Sequence, residues 1–257
     1  MKYLLVSMLF YASLCTYGQV YPPPFKFVGY IDSLPAFYSL EEKSVFTINQ
    51  RVRNFQKKYP AGIIPQRVED DFEVLYSFED EIYTVNIEGD TYSIKNKFES
   101  IAVDVHNKTL YATLRKTDSK HPKGIIRKDL VNKTTEYIGY DGYVERIVGD
   151  NIFLYKETYP ETGSSPFKII RLNIHTKKEL LVFEDQSLIL DFQISRMGKY
   201  VFAENGKEYA IIDLDDMSKQ LIALPMQTDV PPFFSFNNQF LVFYHFASLK
   251  MEKVKVD

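Results

Sequence analysis

Tryptophan is absent from the 257 residues of the chain, which also contains only one cysteine, Cys15, and four histidines. A lone cysteine cannot form an internal disulfide, so the fold must rely on its hydrophobic core. The histidines are scattered, and neither an HExxH pattern nor paired cysteines give the spacing of zinc ligands. The GxSxG turn of α/β-hydrolases is also missing. We therefore expect no metal, no cofactor and no recognisable catalytic residues. A formal net charge of −3 gives no basic surface for nucleic acid.

The first 18 residues have the pattern of a secretory signal peptide. Lys2 precedes the apolar run "YLLVSMLFYASL", which is short for a membrane span, and Thr16 and Gly18 are small residues before a cut at Gln19. The large residue before Cys15 disfavours a lipoprotein. The competing interpretation is a buried first strand. The new start "QVYPPPF" resembles the mature N-termini of exported Bacteroidetes proteins. We expect a secreted or periplasmic protein without a membrane span.

From residue 72 onward the sequence consists of short strand-like runs separated by turn residues. Aromatic residues make up 15% of the chain, which favours strands. Three units of four runs each recur at roughly 40–45 residues, the spacing of propeller blades. They occupy residues 100–140, 144–184 and 188–225, after a hairpin at 73–95 and before a shorter unit at 232–256. We predict an all-β domain over residues 25–257, preceded by the signal peptide (1–18) and a Pro-rich linker (19–24).

One unit carries a more specific pattern. The stretch "FQISRMGKYVFAENGKEYAIIDLDDMSKQLIAL" (192–224) is similar to the PD40, or WD40-like, repeat of TolB-type propellers, and "SFNNQFLVFYHF" (235–246) is a weaker copy. The matching positions are Ser195, Gly198, Lys199, Asp213 and Leu214. Arg196-Met197 stands where the repeat has Pro-Asp. The resemblance implies a β-propeller, and it implies nothing about a substrate. The number of sequence units predicts five or six four-stranded blades.

A helix is predicted near residues 40–59. Ser39 and Glu42 fit a capping box, and Pro60 follows the segment. Apolar residues recur at steps of three and four, as on one face of a helix: Val45, Ile48, Val52, Phe55 and Tyr59. The competing interpretation is a pair of strands through "VFTINQRVRNF", which is rich in β-branched residues.

The two ends of the chain predict a way to close the ring. The unit at 232–256 has three convincing strands, and "FKFVGYI" (25–31) has no sequential partner if a helix follows it. We therefore expect residues 25–31 to lie in the same sheet as residues 250–256, because an unpaired strand edge invites aggregation.

Loop lengths differ between the two ends of the predicted blades, whose strands are labelled a to d in chain order. The a–b and c–d turns are tight, and we call their end of the ring the turn end. The opposite end, the loop end, has long b–c loops at 117–124 and 159–166 and d–a connections at 139–143 and 225–232. Because long loops on a rigid scaffold tend to carry function, we predict a binding site there. Its candidate residues are Asp118, His121, Tyr140, Asp141, Tyr143, Tyr159 and Glu161.

Three functions remain open at this point. The favoured one is an exported scaffold, expected to be a monomer, that binds a protein or a glycan at the loop end. The second is a carbohydrate-active hydrolase or lyase. A glycosidase would need two facing carboxylates. The third is a structural component of an envelope assembly. A contiguous aromatic patch at the loop end would favour the binding module.

Overall fold

The computed structural model is all-β and describes residues 25–49, 52–95, 98–114, 124–157, 167–185, 191–204, 209–223, 228, 230–246, 248 and 250–256. Its strands form six consecutive blades, in each of which strand a is innermost. Blade 1 contains β1 (Phe25–Ile31), β2 (Leu34–Ser39), β3 (Ser44–Asn49) and β4 (Val52–Lys58). Blade 2 contains β5 (Ile63–Glu69), β6 (Phe72–Ser77), β7 (Ile82–Ile87) and β8 (Asp90–Lys95).

The remaining four blades follow the units predicted from the sequence. Blade 3 contains β9 (Phe98–Asp104), β10 (Thr109–Leu114), β11 (Gly124–Asp129) and β12 (Thr135–Tyr137). Blade 4 contains β13 (Tyr143–Val148), β14 (Asn151–Glu157), β15 (Phe167–Asn173) and β16 (Glu179–Asp185). Blade 5 contains β17 (Asp191–Ile194), β18 (Tyr200–Glu204), β19 (Tyr209–Asp213) and β20 (Lys219–Ile222). Blade 6 contains β21 (Phe233–Phe234), β22 (Phe240–His245) and β23 (Lys250–Lys255).

The hydrophobic core is divided among the blade interfaces. Six clusters of buried side chains each join two neighbouring blades, so the interior forms a ring of packed layers. The cluster that joins blades 6 and 1 closes this ring and includes Phe37, Phe46, Phe233 and Tyr244. A single four-stranded sheet has two apolar faces, and radial stacking buries both of them.

The described part of residues 40–59 forms a turn followed by β3 and β4, so the predicted helix is wrong and the strand-pair alternative is confirmed. The apolar residues at helical spacing belong to two different strands. Val45 and Ile48 lie in β3, which is buried on both faces between neighbouring blades. Val52 and Phe55 lie in the outermost strand β4 and are 59% and 66% exposed.

The predicted sheet between residues 25–31 and 250–256 is also wrong. β1 pairs with β2, and it pairs in parallel with β5 through Gly29 and Tyr30, so blades 1 and 2 share one eight-stranded sheet. A side chain at Gly29, where φ is 144°, would collide with the carbonyl oxygen of Val68. β23 pairs with β22, and none of the described strands pairs with its outer edge. The ring closes through side chains instead, because Phe27 stacks on Phe233 with ring centroids 4.7 Å apart.

The two sequence units that resemble the PD40 repeat have the same a–b turn. The amide of Ser195 donates to the carbonyl of Tyr200 over 2.9 Å, and the amide of Ser235 donates to the carbonyl of Phe240 over 2.7 Å. The fourth turn residues, Gly198 and Asn238, both have left-handed backbones, with φ of 64° and 59°. This equivalence confirms that blades 5 and 6 are built from one repeated unit.

Candidate functional site

The predicted site residues are only partly within the described chain. Asp118, His121, Tyr159 and Glu161 fall in residues 115–123 and 158–166, which lie outside it. The other three candidates, Tyr140, Asp141 and Tyr143, belong to the connection between blades 3 and 4 and the start of β13.

The structure separates Tyr140 from Asp141 and Tyr143. The Tyr140 hydroxyl donates to the carbonyl of Lys177, in the c–d turn of blade 4, over 3.0 Å, so this side chain points toward the turn end. Burial raises the pKa of Tyr140, with a further contribution from Glu179. Asp141 and Tyr143 stay at the loop end, where the Asp141 carboxylate lies 3.4 Å from Nζ of Lys156.

Tyr143 begins a row of aromatic rings at the loop end of blades 4 and 5. It stacks on Tyr155 with ring centroids 4.8 Å apart and planes 17° apart. Tyr155 lies 5.9 Å from Phe167 and 5.1 Å from Phe192, and the last two rings are 5.2 Å apart. Tyr143, Tyr155 and Phe192 are half-buried, so the row continues from the surface into the blade interface.

A second aromatic row lies at the same end of blades 2 and 3. Tyr76 packs against Phe78 at 4.9 Å and against Tyr83 at 4.6 Å, and Tyr83 packs against Phe98 at 5.6 Å. Phe78 lies in the b–c turn of blade 2 and is 44% exposed. The loop end therefore presents two groups of rings on the rigid ends of strands.

The inner strands surround a central channel, and charged side chains of opposite blades meet across it. Arg67 in β5 donates from Nε to Oε1 of Glu69 over 2.8 Å. The other carboxylate oxygen of Glu69 lies 3.6 Å from Nε of Arg196, which follows β17 in the opposite blade. Only 9% of the Glu69 side chain is exposed. One buried carboxylate is thus shared by two arginines.

A bulge in β13 brings two more charged groups to the channel. The pairing register of β13 shifts between Val144 and Arg146, which directs the consecutive residues Glu145 and Arg146 toward the channel. Burial, followed by repulsion from Arg67, lowers the pKa of Arg146 to about 9. Burial likewise raises the pKa of the Glu145 carboxyl. Nε of Arg146 is buried and has no hydrogen-bond partner in the structure.

Lys26 in β1 lies nearer the loop end of the channel. Its Nζ donates to Oε1 of Gln66 over 3.1 Å, and the attraction of Glu145 reaches it from the opposite blade. Water reaches Lys26 along the channel, yet the surrounding blades desolvate its ammonium group, which lowers its pKa. The loop end of the channel is therefore open to solvent.

The turn end of the channel is narrowed by aromatic side chains. The Arg196 guanidinium lies over the ring of Phe236, 4.5 Å from its centroid. Tyr30 packs edge-on against Phe236 at 5.5 Å, and its hydroxyl donates to the carbonyl of Phe234. Burial raises the pKa of this Tyr30 hydroxyl. These contacts place an aromatic and cationic floor below Glu69.

The sequence analysis missed the channel residues, although a signal for two of them was present. Arg196 occupies the proline position of the PD40 repeat, and Phe236 occupies the same position in the weaker copy. Both departures from the repeat face the channel, where their side chains stack. Arg67, Glu145 and Arg146 gave no comparable signal, because they are ordinary charged residues of two strands that lie far apart along the chain.

A polar cleft of about 470 Å³ separates blades 3 and 4 at the turn end. Its charged walls are paired with each other: His175 lies 3.3 Å from Asp150, and Arg127 lies 3.7 Å from Glu136. Within the described ranges there is no group of three His, Cys, Asp or Glu side chains that could hold a metal ion. No helix in that part of the chain is long and apolar enough to cross a membrane.

Comparison with solved structures agrees with the blade geometry. TolB from Acinetobacter baumannii matches with a TM-score of 0.50 and 16% identity over 82% of this chain and 54% of TolB. The chain has the β-propeller fold. An oligogalacturonate lyase in complex with manganese matches with a TM-score of 0.55 and 7% identity, over 88% of this chain and 75% of the lyase. KlHsv2 with its loop 6CD replaced by a Gly-Ser linker matches with a TM-score of 0.54 and 12% identity, over 91% of this chain and 93% of the KlHsv2 chain.

These similarities show the fold alone, since the identities are low. This propeller spans about half the length of the TolB structure, with 54% covered. No family model matches the sequence, and no curated protein matches it.

Proposed function

We propose that this propeller is an exported binding scaffold that holds a protein or glycan partner at its loop end. The two aromatic rows carry this proposal, because their outer rings are half-buried or, in Phe78, 44% exposed, and each row continues into buried rings of the blade interfaces. Aromatic rings fixed on strand ends offer large apolar contacts at a low cost in conformational entropy, whether they meet a protein surface or a sugar face. Asp141 and Lys156 add both signs of charge beside one row.

The long b–c loops complete the proposed surface. Residues 115–123 join β10 to β11, and residues 158–166 join β14 to β15, at the end where the aromatic rows lie. The second loop begins three residues after Tyr155 and ends just before Phe167, both members of one row. The proposal therefore includes Asp118, His121, Tyr159 and Glu161 as partner contacts supplied by these loops.

The alternative of a carbohydrate-active hydrolase or lyase has less support. Glycoside hydrolysis needs two facing carboxylates, one to give a proton and one to take it or attack. Of the described channel carboxylates, Glu69 is already held between Arg67 and Arg196, which leaves Glu145 without a free partner. The lyase found by structural comparison acts, by its name, on oligogalacturonate. At 7% identity, its similarity to this chain shows a shared fold and gives no support for a shared activity.

Export is a separate part of the proposal, and it rests on the N-terminal sequence. We expect cleavage between Gly18 and Gln19, because small residues occupy the positions that the signal peptidase reads. Intact-mass analysis of the protein recovered from the envelope or medium would measure this directly. A retained N-terminus would contradict export by this signal, and a lipid mass on Cys15 would indicate a membrane anchor.

Capture of partners by immobilised protein tests the binding role. We would compare the wild type with Phe78→Ser and Tyr143→Ser against an envelope extract and a panel of polysaccharides. Val131→Ser is the matched control, because Val131 is also an exposed apolar residue, 58% exposed, in a c–d turn at the turn end. We expect the loop-end variants to lose a partner that the wild type and the control retain. Equal capture by all four proteins would contradict the proposal, and a partner held in fixed stoichiometry would favour the envelope-assembly alternative.

A further inference from the structure

We propose that the central channel is a binding site for an oxyanion, a carboxylate or phosphate group on a small ligand, held between Arg67 and Arg146. This site is distinct from the aromatic rows, and it does not depend on the partner proposed for the loop end. The proposal starts from the charges that face one another across the channel. The described members are four cations and two carboxylates: Lys26, Arg67, Arg146, Arg196, Glu69 and Glu145.

The two carboxylates do not neutralise this group. Glu69 is bonded to Arg67 and faces Arg196, so its charge is already shared between two guanidinium groups. Glu145 is the immediate neighbour of Arg146, and its raised pKa shows that burial opposes its negative charge. Among these six described residues, the cations therefore outnumber the carboxylates by two. An anion that enters the channel would supply the missing charge.

Glu145 and Glu69 attract the Arg146 guanidinium from beyond ion-pair distance. Its Nε is buried without a hydrogen-bond acceptor, and no described residue forms an ion pair with its guanidinium within 4 Å. Arg67 lies close enough to repel it, and burial with this repulsion lowers its pKa to about 9. The Arg146 side chain is half-buried, and a guanidinium partly removed from water without a close partner lowers the stability of a fold. A ligand that pairs with it would offset this loss. A guanidinium offers parallel N–H donors whose spacing matches the two oxygens of a carboxylate or phosphate.

The backbone around Arg146 and Arg67 is shaped to aim these side chains. The register of β13 shifts just before Arg146, and that of β5 shifts between Pro65 and Arg67. Bulges at both positions turn consecutive side chains, Gln66 with Arg67 and Glu145 with Arg146, away from strict alternation. Two inner strands thus use the same device to present an arginine to the channel.

In this proposal the ligand enters from the loop end. At the turn end, Arg196 on Phe236 and the Tyr30 hydroxyl on Phe234 form the floor described above. At the loop end, Lys26 is exposed and carries the first positive charge that an entering anion meets. An oxyanion would therefore pass Lys26 and stop between Arg67 and Arg146, above the Glu69–Arg196 pair.

Calorimetric titration and thermal unfolding of the purified protein test this proposal. Inorganic phosphate and succinate serve as the two probes, and sodium chloride at matched ionic strength is the salt control. We expect saturable binding of at least one probe, with one site per chain and a raised melting temperature, because a ligand that binds only the folded state stabilises it. Saturation by phosphate alone would identify a phosphate ligand, and saturation by succinate alone would identify a carboxylate ligand.

Variants locate the site. Arg146→Gln should weaken binding by about tenfold or more, the effect of losing a charge-assisted hydrogen bond. Arg146→Lys should recover only part of the affinity, because an ammonium keeps the charge but lacks the paired donors. Arg53→Gln is the control, because Arg53 forms an exposed ion pair with Glu42 in the outer strand of blade 1. Unchanged affinity in Arg146→Gln, or an equal response of the wild type to phosphate, succinate and chloride, would overturn the proposal.

Discussion

Gly198→Val should destabilise this propeller, and the structure allows the size of the loss to be worked out. Gly198 lies in the a–b turn of blade 5 with φ at +64°. A left-handed backbone costs an ordinary residue about 1–2 kcal/mol. A Cβ atom at this position would also lie 3.0 Å from a methyl carbon of Val148 and 3.1 Å from the ring of Phe153, both in blade 4. Crowding of a packed site costs typically about 1–3 kcal/mol.

The expected loss for Gly198→Val is therefore about 3 kcal/mol, which for a domain of this size lowers the melting temperature by roughly 6–12 °C. Denaturant unfolding followed by circular dichroism measures it. Gly149→Ala provides a matched control, because Gly149 has φ at +53° and a Cβ atom added there would meet no other atom within 4 Å. We expect Gly149→Ala to lose about 1 kcal/mol, the conformational cost alone. Gly198→Ala should lose about 1 kcal/mol more through contact with blade 4.

Two outcomes would refute this reasoning. An unchanged midpoint for Gly198→Val would show that the turn does not have this geometry. Equal losses for Gly198→Ala and Gly149→Ala would show that the turn of blade 5 does not press against Val148 and Phe153. The comparison therefore tests the packing of two neighbouring blades as well as one turn.

Three further substitutions test the ring and its channel. Phe27→Asp should cost about 3–5 kcal/mol, because it places a charge in the cluster that joins blades 6 and 1, where Phe27 stacks on Phe233. Glu73→Gln should cost about 2 kcal/mol at neutral pH. Burial alone would raise the pKa of Glu73, but hydrogen bonds from Lys57, Tyr59 and Asn86 outweigh burial and lower the pKa. This stabilisation is therefore present at a pH above the ordinary pKa of a glutamate and is lost as the pH falls through the lowered pKa of Glu73. Glu145→Gln should stabilise the protein at neutral pH. Burial raises the pKa of Glu145, so the wild type loses stability as the pH rises from 4.5 through the folded-state pKa and the carboxyl ionises. The substituted glutamine stays neutral and avoids this loss.

Denaturant midpoints measured across pH check all three. Phe55→Asp in the outer strand is the control for Phe27→Asp and should change stability by less than about 0.5 kcal/mol, since Phe55 is 66% exposed. A tolerated Phe27→Asp would mean that blades 6 and 1 do not pack as described. If the stability of Glu73→Gln and that of the wild type depend on pH in the same way, the assigned hydrogen bonds do not lower the pKa of Glu73. A profile for Glu145→Gln that still declines by the wild-type amount would show that burial does not raise the pKa of Glu145.

The repeated units were predictable because their signals are local. Turn residues and alternating apolar runs placed blades 3 to 5 within a few residues of their observed strands. Blade 1 was misassigned because β4 is an outermost strand, fully exposed along its length, and therefore shows no alternation. Its exposed Phe55 then combined with buried residues of β3 into an apparent helical face. Ring closure was mispredicted because β1 meets β5 edge to edge, and no local pattern encodes a parallel pairing between residues 29 and 68.

In a repeat protein, residues of the central channel can indicate a binding site as well as the fold. Each blade uses most of its apolar residues to pack against two neighbours, and these positions are similar from unit to unit because the interfaces are similar. The inner strands of the blades meet at the channel, so a residue that faces the channel contacts residues of distant units. Arg196 and Phe236 illustrate this, since both replace the proline of the repeat and they stack on each other. Departures from the repeat at corresponding positions are therefore the signal to search for first. In this chain they lead along Arg196 to Glu69, and from Glu69 to the arginines that we propose hold an anion.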